Sequence, residues 1–75
     1  MAQQTVLSPM PGIIQTILVS VGDSVNQNDE LCILTAMKME NPIVSPATGI
    51  ISEISVSEGQ AVRSGVQLMV IDSSA

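Results

Sequence analysis

The stretch SPMPGIIQTILVSVGDSV, residues 8–25, decides the fold, because it returns as SPATGIISEISVSEGQAV at residues 45–62. With an offset of 37 residues, the segments 6–34 and 43–71 align without a gap and are identical at 11 of 29 positions. Self-similarity of this kind indicates one supersecondary unit used twice. We therefore predict a single domain over residues 1–75, with internal repeats 6–34 and 43–71 related by an approximate two-fold axis.

Each repeat has the pattern of short β-strands. The strand that follows each Ser-Pro turn has apolar residues of one parity, which predicts an inward face made of Ile13, Ile17 and Val19 in the first repeat and Ile50, Ile54 and Val56 in the second. A helix is disfavoured because no window of helical length combines freedom from Gly and Pro with apolar residues spaced three and four apart. Four glycines are expected where the backbone needs a positive φ or a close approach: Gly12, Gly22, Gly49 and Gly59. The pattern predicts an all-β flattened barrel or sandwich of about eight short strands, four per repeat.

Composition and charge exclude several classes of function. Two basic residues face seven acidic ones, for a net charge of −5, and aromatic residues are absent, which argues against nucleic-acid binding and against an anionic membrane surface. The uncharged residues 1–22 are too rich in Pro and Gln for a signal peptide or a membrane insertion, so we expect a cytoplasmic protein. With no His and one Cys, we expect no catalytic triad and no metal site. Cys32 lies in an apolar run and is predicted to be a core residue.

The segment TAMKMENP, residues 35–42, joins the two repeats and lacks the residues that a tight hairpin normally has at its tip. A tight hairpin favours Asn-Gly or Asp-Gly at its tip, because the matching turns need positive φ, yet this tip is Met37-Lys38-Met39. The two methionines either pack onto the hairpin or offer a contact surface, and they flank the only lysine of the chain. Violations of this kind concentrate at functional sites. The two-fold relation places this hairpin at the end of the molecule away from both termini, including Ala75.

Ala36-Met37-Lys38-Met39, centred between the repeats, resembles the attachment motif of biotinyl domains, the biotin carboxyl carrier family. The resemblance extends from Ser8-Pro9-Met10-Pro11-Gly12 to Gly59-Gln60-Ala61-Val62. It implies a barrel-sandwich hybrid of two four-stranded antiparallel sheets with quasi-two-fold symmetry. It also implies covalent biotin on Lys38 through an amide, with Ala36, Met37 and Met39 recognised by the biotin ligase. The family commonly has Glu where this chain has Thr35, and some members carry an inserted thumb near the position of Gln15.

This resemblance implies a non-catalytic carrier component of a biotin-dependent complex. The parent enzyme would be an acyl-CoA or pyruvate carboxylase or a sodium-pumping decarboxylase. The implied partners are biotin protein ligase and the biotin carboxylase or carboxyltransferase (decarboxylase) components. The location would be the cytoplasm, or an organelle matrix for a domain of a longer eukaryotic enzyme. Two alternatives remain: a lipoyl-type acyl carrier, which typically has Asp-Lys-Ala at the tip, and an unmodified structural or adaptor barrel. Glu40 and Asn41 are interpreted as residues that flank the turn.

Overall fold

The computed structural model describes residues 3–73 and contains eight strands and no helix within that range. The strands are β1 (Gln3–Leu7), β2 (Gly12–Ile17), β3 (Ser24–Val25), β4 (Glu30–Ala36), β5 (Met39–Val44), β6 (Gly49–Ile54), β7 (Ala61–Val62) and β8 (Gln67–Asp72). Every pairing between them is antiparallel. Among these residues, therefore, no helix is long and hydrophobic enough to cross a bilayer.

The strands form two four-stranded sheets, with the orders β1-β8-β6-β3 and β5-β4-β2-β7. An offset of 37 residues exchanges β1 with β5, β2 with β6, β3 with β7 and β4 with β8, and so converts one sheet into the other. The predicted all-β fold, with four strands per repeat and quasi-two-fold symmetry, is confirmed. The two hydrogen-bonded ladders remain separate rather than closing into one continuous barrel. A flattened sandwich is therefore the better description.

The core lies between the two sheets and is almost entirely aliphatic. Its fully buried members come from the inner strands of both sheets and are Ile14, Leu31, Cys32, Leu34, Ile51, Leu68, Met69 and Ile71. Burial of such side chains is worth roughly 1.5–3 kcal/mol each relative to exposure. Cys32 is a core residue as predicted, and burial raises the pKa of its thiol, which keeps it protonated and unreactive.

The predicted inward parity is wrong at the start of β2 and β6. Ile13 and Ile50 are 50% and 39% exposed, whereas their neighbours Ile14 and Ile51 are fully buried. The reason is a β-bulge: the register shifts between Ile14 and Thr16 in β2, and at the equivalent place in β6. An extra residue inverts the alternation. The later positions of each strand, Ile17 among them, therefore pack against the core as expected.

The glycines occupy both kinds of position that the sequence suggested. Gly22 and Gly59 have φ of 95° and 87°, which side chains with a Cβ rarely adopt. Gly12 instead lies against a neighbouring strand, since a Cβ built there would be 2.6 Å from the carbonyl oxygen of Thr35. Gly49 makes the same close approach in the other sheet. At these latter two positions, glycine is needed for space rather than for φ.

The hairpin and the ends of the described chain lie at opposite ends of a molecule 37 Å long. β2 begins beside the hairpin, where Ile13 pairs with Thr35. It then leads to β3, which pairs with β6 at Ile50, the residue that also pairs with Asp72 near the end of the chain. β2 thus runs from the hairpin towards the opposite end of the molecule, where Gln3 of β1 pairs with Asp72 of β8. Ala75, used in the sequence-based expectation, lies outside the described residues.

The two roles of glycine can be separated by substitution. We expect Gly12→Ala to lower the free energy of unfolding by about 2 kcal/mol, because the new methyl group collides with backbone. At Gly65, with φ of 87° and open space around it, Ala should cost about 1 kcal/mol and Asn less, because Asn tolerates left-handed backbone. Urea denaturation measures all of these changes. If Asn relieved the cost of Ala at position 12 as well, the steric explanation would be wrong.

Candidate functional site

The hairpin between β4 and β5 closes on the pair Ala36 and Met39, so that two residues form the turn. These residues, Met37 and Lys38, have φ of 52° and 66°. Two positive φ values in a two-residue hairpin are the signature of a type I′ turn, for which Asn-Gly is the preferred sequence. Left-handed backbone costs roughly 1–2 kcal/mol for an ordinary residue. The chain therefore holds a strained turn at the place where its only lysine lies.

The side chains of the turn are directed into solvent. Met37 is 94% exposed and Met39 65%, and Lys38 is exposed as well. Of the two interpretations of the methionines, a contact surface fits better, because Met37 is almost fully exposed and most of Met39 is exposed as well. Ala36 differs from the other three, since it is buried and faces the core. The hairpin therefore presents an amine between two apolar side chains, and Ala36 anchors it to the sandwich.

A primary amine at an exposed turn is suited to acylation, because any partner can approach it without competing with protein contacts. Lys38 is the only lysine, and the other cationic side chain, Arg63, carries a guanidinium, which is a poor nucleophile. Within residues 3–73 no three metal-ligating side chains cluster, and each buried polar side-chain atom has a hydrogen-bond partner. The arrangement can hold a covalently attached group.

A chain of hydrogen bonds crosses three strands on the outer face beside the turn. The Thr35 hydroxyl donates to Gln15 Oε1 at 2.7 Å, and Gln15 Nε2 donates to Glu40 Oε2 at 2.8 Å. Gln15 lies at the bulge of β2, and Thr35 pairs directly with Glu40 in the β4–β5 ladder. Sequence reasoning treated Glu40 only as a residue flanking the turn. The contact was missed because it depends on strand register, which the sequence does not display.

A surface groove of about 340 Å³ lies elsewhere, between the outer strands of the two sheets. Its lining consists of four pairs related by the 37-residue offset: Thr5 and Pro42, Val6 and Ile43, Leu7 and Val44, and Pro9 and Pro46. The groove therefore straddles the pseudo-two-fold axis. No residue of the turn lines this groove.

A family model described as "Biotin-requiring enzyme" matches residues 4–71. The chain is 57% identical over 42 residues to the biotin carboxyl carrier protein of Streptococcus mutans, covering 56% of this chain and 32% of that protein. It is 50% identical over 40 residues to the methylmalonyl-CoA decarboxylase subunit gamma of Veillonella parvula, covering 53% and 31% of the two chains.

The Kluyveromyces lactis urea carboxylase contains a similar fold, with a TM-score of 0.90 and 26% sequence identity. That likeness covers 96% of this chain and 6% of the carboxylase. The chain thus spans about a third of the length of the two curated relatives and a small part of the larger enzyme.

The strain of the turn has a measurable consequence. Replacing Met37 by Asn together with Lys38→Gly should raise the free energy of unfolding by about 1 kcal/mol, because both residues then suit positive φ. Lys38→Arg, which leaves the backbone requirement unchanged, should stay within about 0.5 kcal/mol of the parent. Urea denaturation compares the three proteins. A double variant less stable than the parent would contradict the turn geometry described above.

Proposed function

Because the chain belongs to the biotin-requiring enzyme family, its cofactor is biotin, and we propose that Lys38 carries it through an amide bond. The observation that supports this assignment is the position of the only lysine in an exposed, left-handed turn. We propose further that residues 1–75 act as one carrier domain, with repeats 6–34 and 43–71. The relatives named above support a role within a biotin-dependent carboxylase or decarboxylase.

The residues present fit a covalently held group. In the attachment step, Lys38 Nζ bonds to the carbonyl carbon of an activated biotin carboxyl group, the bond from that carbon to its leaving group breaks, and the amine loses a proton. Met37 and Met39 offer flexible, polarisable surfaces that several partners can use in turn. Ala36 fixes the base of the hairpin in the core. These four residues form the proposed attachment site.

Biotin, when bound, supplies a ureido nitrogen that carries a carboxyl group between active sites. The chain's own contribution is to hold and present that group. The hairpin lies at one end of the 37 Å molecule, and the pair formed by Gln3 of β1 and Asp72 of β8 lies at the other end. A neighbouring domain or subunit at the end that carries Gln3 and Asp72 would leave the hairpin free to reach successive active sites. Tethering would keep the carried group at a high effective concentration near those sites.

The partners that we propose follow from the same assignment. Biotin protein ligase would attach the group, and a biotin carboxylase and a carboxyltransferase or decarboxylase component would use it. The relative in Veillonella parvula, a decarboxylase subunit, supports the decarboxylase class, and the urea carboxylase fold supports the carboxylase class. The proposed parent enzyme is an acyl-CoA or pyruvate carboxylase or a sodium-pumping decarboxylase. The proposed location is the cytoplasm, or the organelle matrix if the parent is a longer eukaryotic enzyme.

The attachment proposal predicts a single modified residue. After incubation with biotin, ATP and a biotin protein ligase, the intact mass should rise by one biotinyl group, and streptavidin should bind the product. Lys38→Arg should remove both signals, because the guanidinium is a poor nucleophile. Labelling that survives Lys38→Arg would overturn the assignment. Modification by a lipoate ligase alone would favour the lipoyl carrier, and no modification by either enzyme would favour the adaptor barrel.

The two methionines should serve recognition rather than folding. Replacing Met37 and Met39 by Leu should leave the free energy of unfolding nearly unchanged, because both side chains are exposed and such exchanges cost less than about 1.5 kcal/mol even in cores. The kcat/KM for biotinylation should fall. Urea denaturation and intact-mass kinetics measure the two effects separately. Unfolding of the double variant would instead assign the methionines a structural role.

A further inference from the structure

The hydrogen-bonded chain Thr35–Gln15–Glu40 lies directly beside the attachment turn. Thr35 and Glu40 form the pair next to Ala36 and Met39, which close the hairpin. Gln15 reaches them from β2, with donor–acceptor distances of 2.7 Å and 2.8 Å. The Glu40 side chain is exposed to solvent, so its charge is available to a partner. The network thus fixes one carboxylate two residues from the proposed acceptor lysine.

The internal repeat provides a control for what the fold itself requires. The 37-residue offset relates Gln15 to Ser52, Thr35 to Asp72 and Glu40 to Gln3, in agreement with the equivalence of the strands in the two sheets. Both sheets have the same strand order and the same bulge. In the second sheet, however, the Ser52 hydroxyl donates to the Val70 carbonyl. The residue equivalent to Gln15 therefore makes a different contact in the second sheet, and the hydrogen-bonded chain that ends in Glu40 lies at the end that carries the lysine.

We propose that Glu40 is a recognition residue for the biotin protein ligase, and that Gln15 and Thr35 are positioning residues that hold its carboxylate. This inference rests on the proposed function, in which Lys38 is the attachment residue. A ligase that uses ATP must bind anionic phosphate groups, and cationic side chains are the usual means of binding them. A fixed carboxylate beside Lys38 is complementary to such a surface.

The footprint offered to the ligase has two parts. Met37, Met39 and the half-exposed Ile13 provide apolar area around and below the turn. Glu40 provides a charge on the outer face that Ile13 also occupies, since Ile13, Thr35 and Glu40 are consecutive partners across β2, β4 and β5. Charges at the rim of an interface act mainly on encounter and on its salt dependence. Glu40 should therefore affect KM rather than kcat.

The test is steady-state biotinylation of Glu40→Gln by a biotin protein ligase with biotin and ATP. This variant can still accept the hydrogen bond from Gln15 but has lost the charge. We expect KM for the domain to rise about three- to tenfold with kcat within about twofold of the parent. The difference should shrink as salt is raised from about 0.05 to about 0.5 M, because the interaction is screened.

The chain offers a matched control in Glu53→Gln. Glu53 is an exposed carboxylate in the other sheet that also accepts a hydrogen bond from a glutamine, Gln67, at 3.2 Å. The substitution changes the net charge by the same amount. If the local charge matters, Glu53→Gln should leave KM within about twofold of the parent. An equal rise in KM for both variants would mean that only net charge counts and would overturn the proposal.

Gln15→Ala tests the positioning role, since it keeps the Glu40 charge but releases its side chain. We expect a smaller rise in KM than in Glu40→Gln. Adding Gln15→Ala to Glu40→Gln should have no further effect, because Gln15 acts through Glu40. Independent, multiplying effects of the two substitutions would contradict the positioning role. Circular dichroism and urea midpoints that match the parent confirm that each variant is folded.

The two proposals fail in different ways. If the parent domain is not biotinylated at all, the proposed function fails. If the parent is biotinylated at Lys38 but Glu40→Gln has an unchanged KM at low salt, the recognition role of Glu40 fails alone. A fall in kcat with KM unchanged would place Glu40 in the chemical step and would likewise overturn the recognition role.

Discussion

The structure depends on the packing of aliphatic side chains between two four-stranded sheets. The chain has no aromatic residue, so Ile, Leu and Val must fill the interior closely. The bulges in β2 and β6 make this possible, because they change which side of the strand faces the core partway along it. Ile14 is buried before the bulge, and Ile17 packs against the core after it. A regular strand would turn one of these two side chains to solvent.

The same bulge shapes the surface beside the β4–β5 turn. It lies at Gln15, whose side chain is exposed and reaches both Thr35 and Glu40. The bulge in β2 thus allows Ile14 and Ile17 to pack against the core on one face of the sheet, and it places Gln15 in the hydrogen-bonded chain on the other face. The packed strand β4, anchored through Leu34 and Ala36, in turn holds the strained turn in place. Backbone strain of this kind is tolerated only where the packing and pairing of neighbouring residues fix the conformation of the turn.

Much of the fold could be predicted from the repeat alone. Identical residues at an offset of 37 positions indicate two equivalent units, and short apolar runs bounded by turn residues favour strands, so the all-β class with four strands per repeat could be predicted. The inward parity could not be predicted correctly, because Ile13 and Ile14 are both isoleucine and only the bulge decides which one is buried. The lysine was identified because it is unique and lies between the repeats.

The sequence showed that the tip lacks the residues that a tight hairpin favours, but two features of the site depend on strand register. Met37 and Lys38 adopt positive φ although neither residue favours it, since the β4–β5 register leaves just two residues for the turn. The contact between Gln15 and Glu40 joins residues 25 positions apart. Such a contact follows from the register of three strands and from the bulge, neither of which composition or periodicity reveals.

The proposed attachment at Lys38 requires that one position of the turn, rather than any lysine among methionines, is presented for modification. The most direct test exchanges the two turn residues, Met37→Lys with Lys38→Met, which preserves composition and charge. Circular dichroism first verifies that the variant is folded. Biotinylation, measured by intact mass, should then slow by at least about 100-fold, because the amine is displaced by one residue. A rate equal to that of the parent would contradict the account, since position in the turn would then be irrelevant.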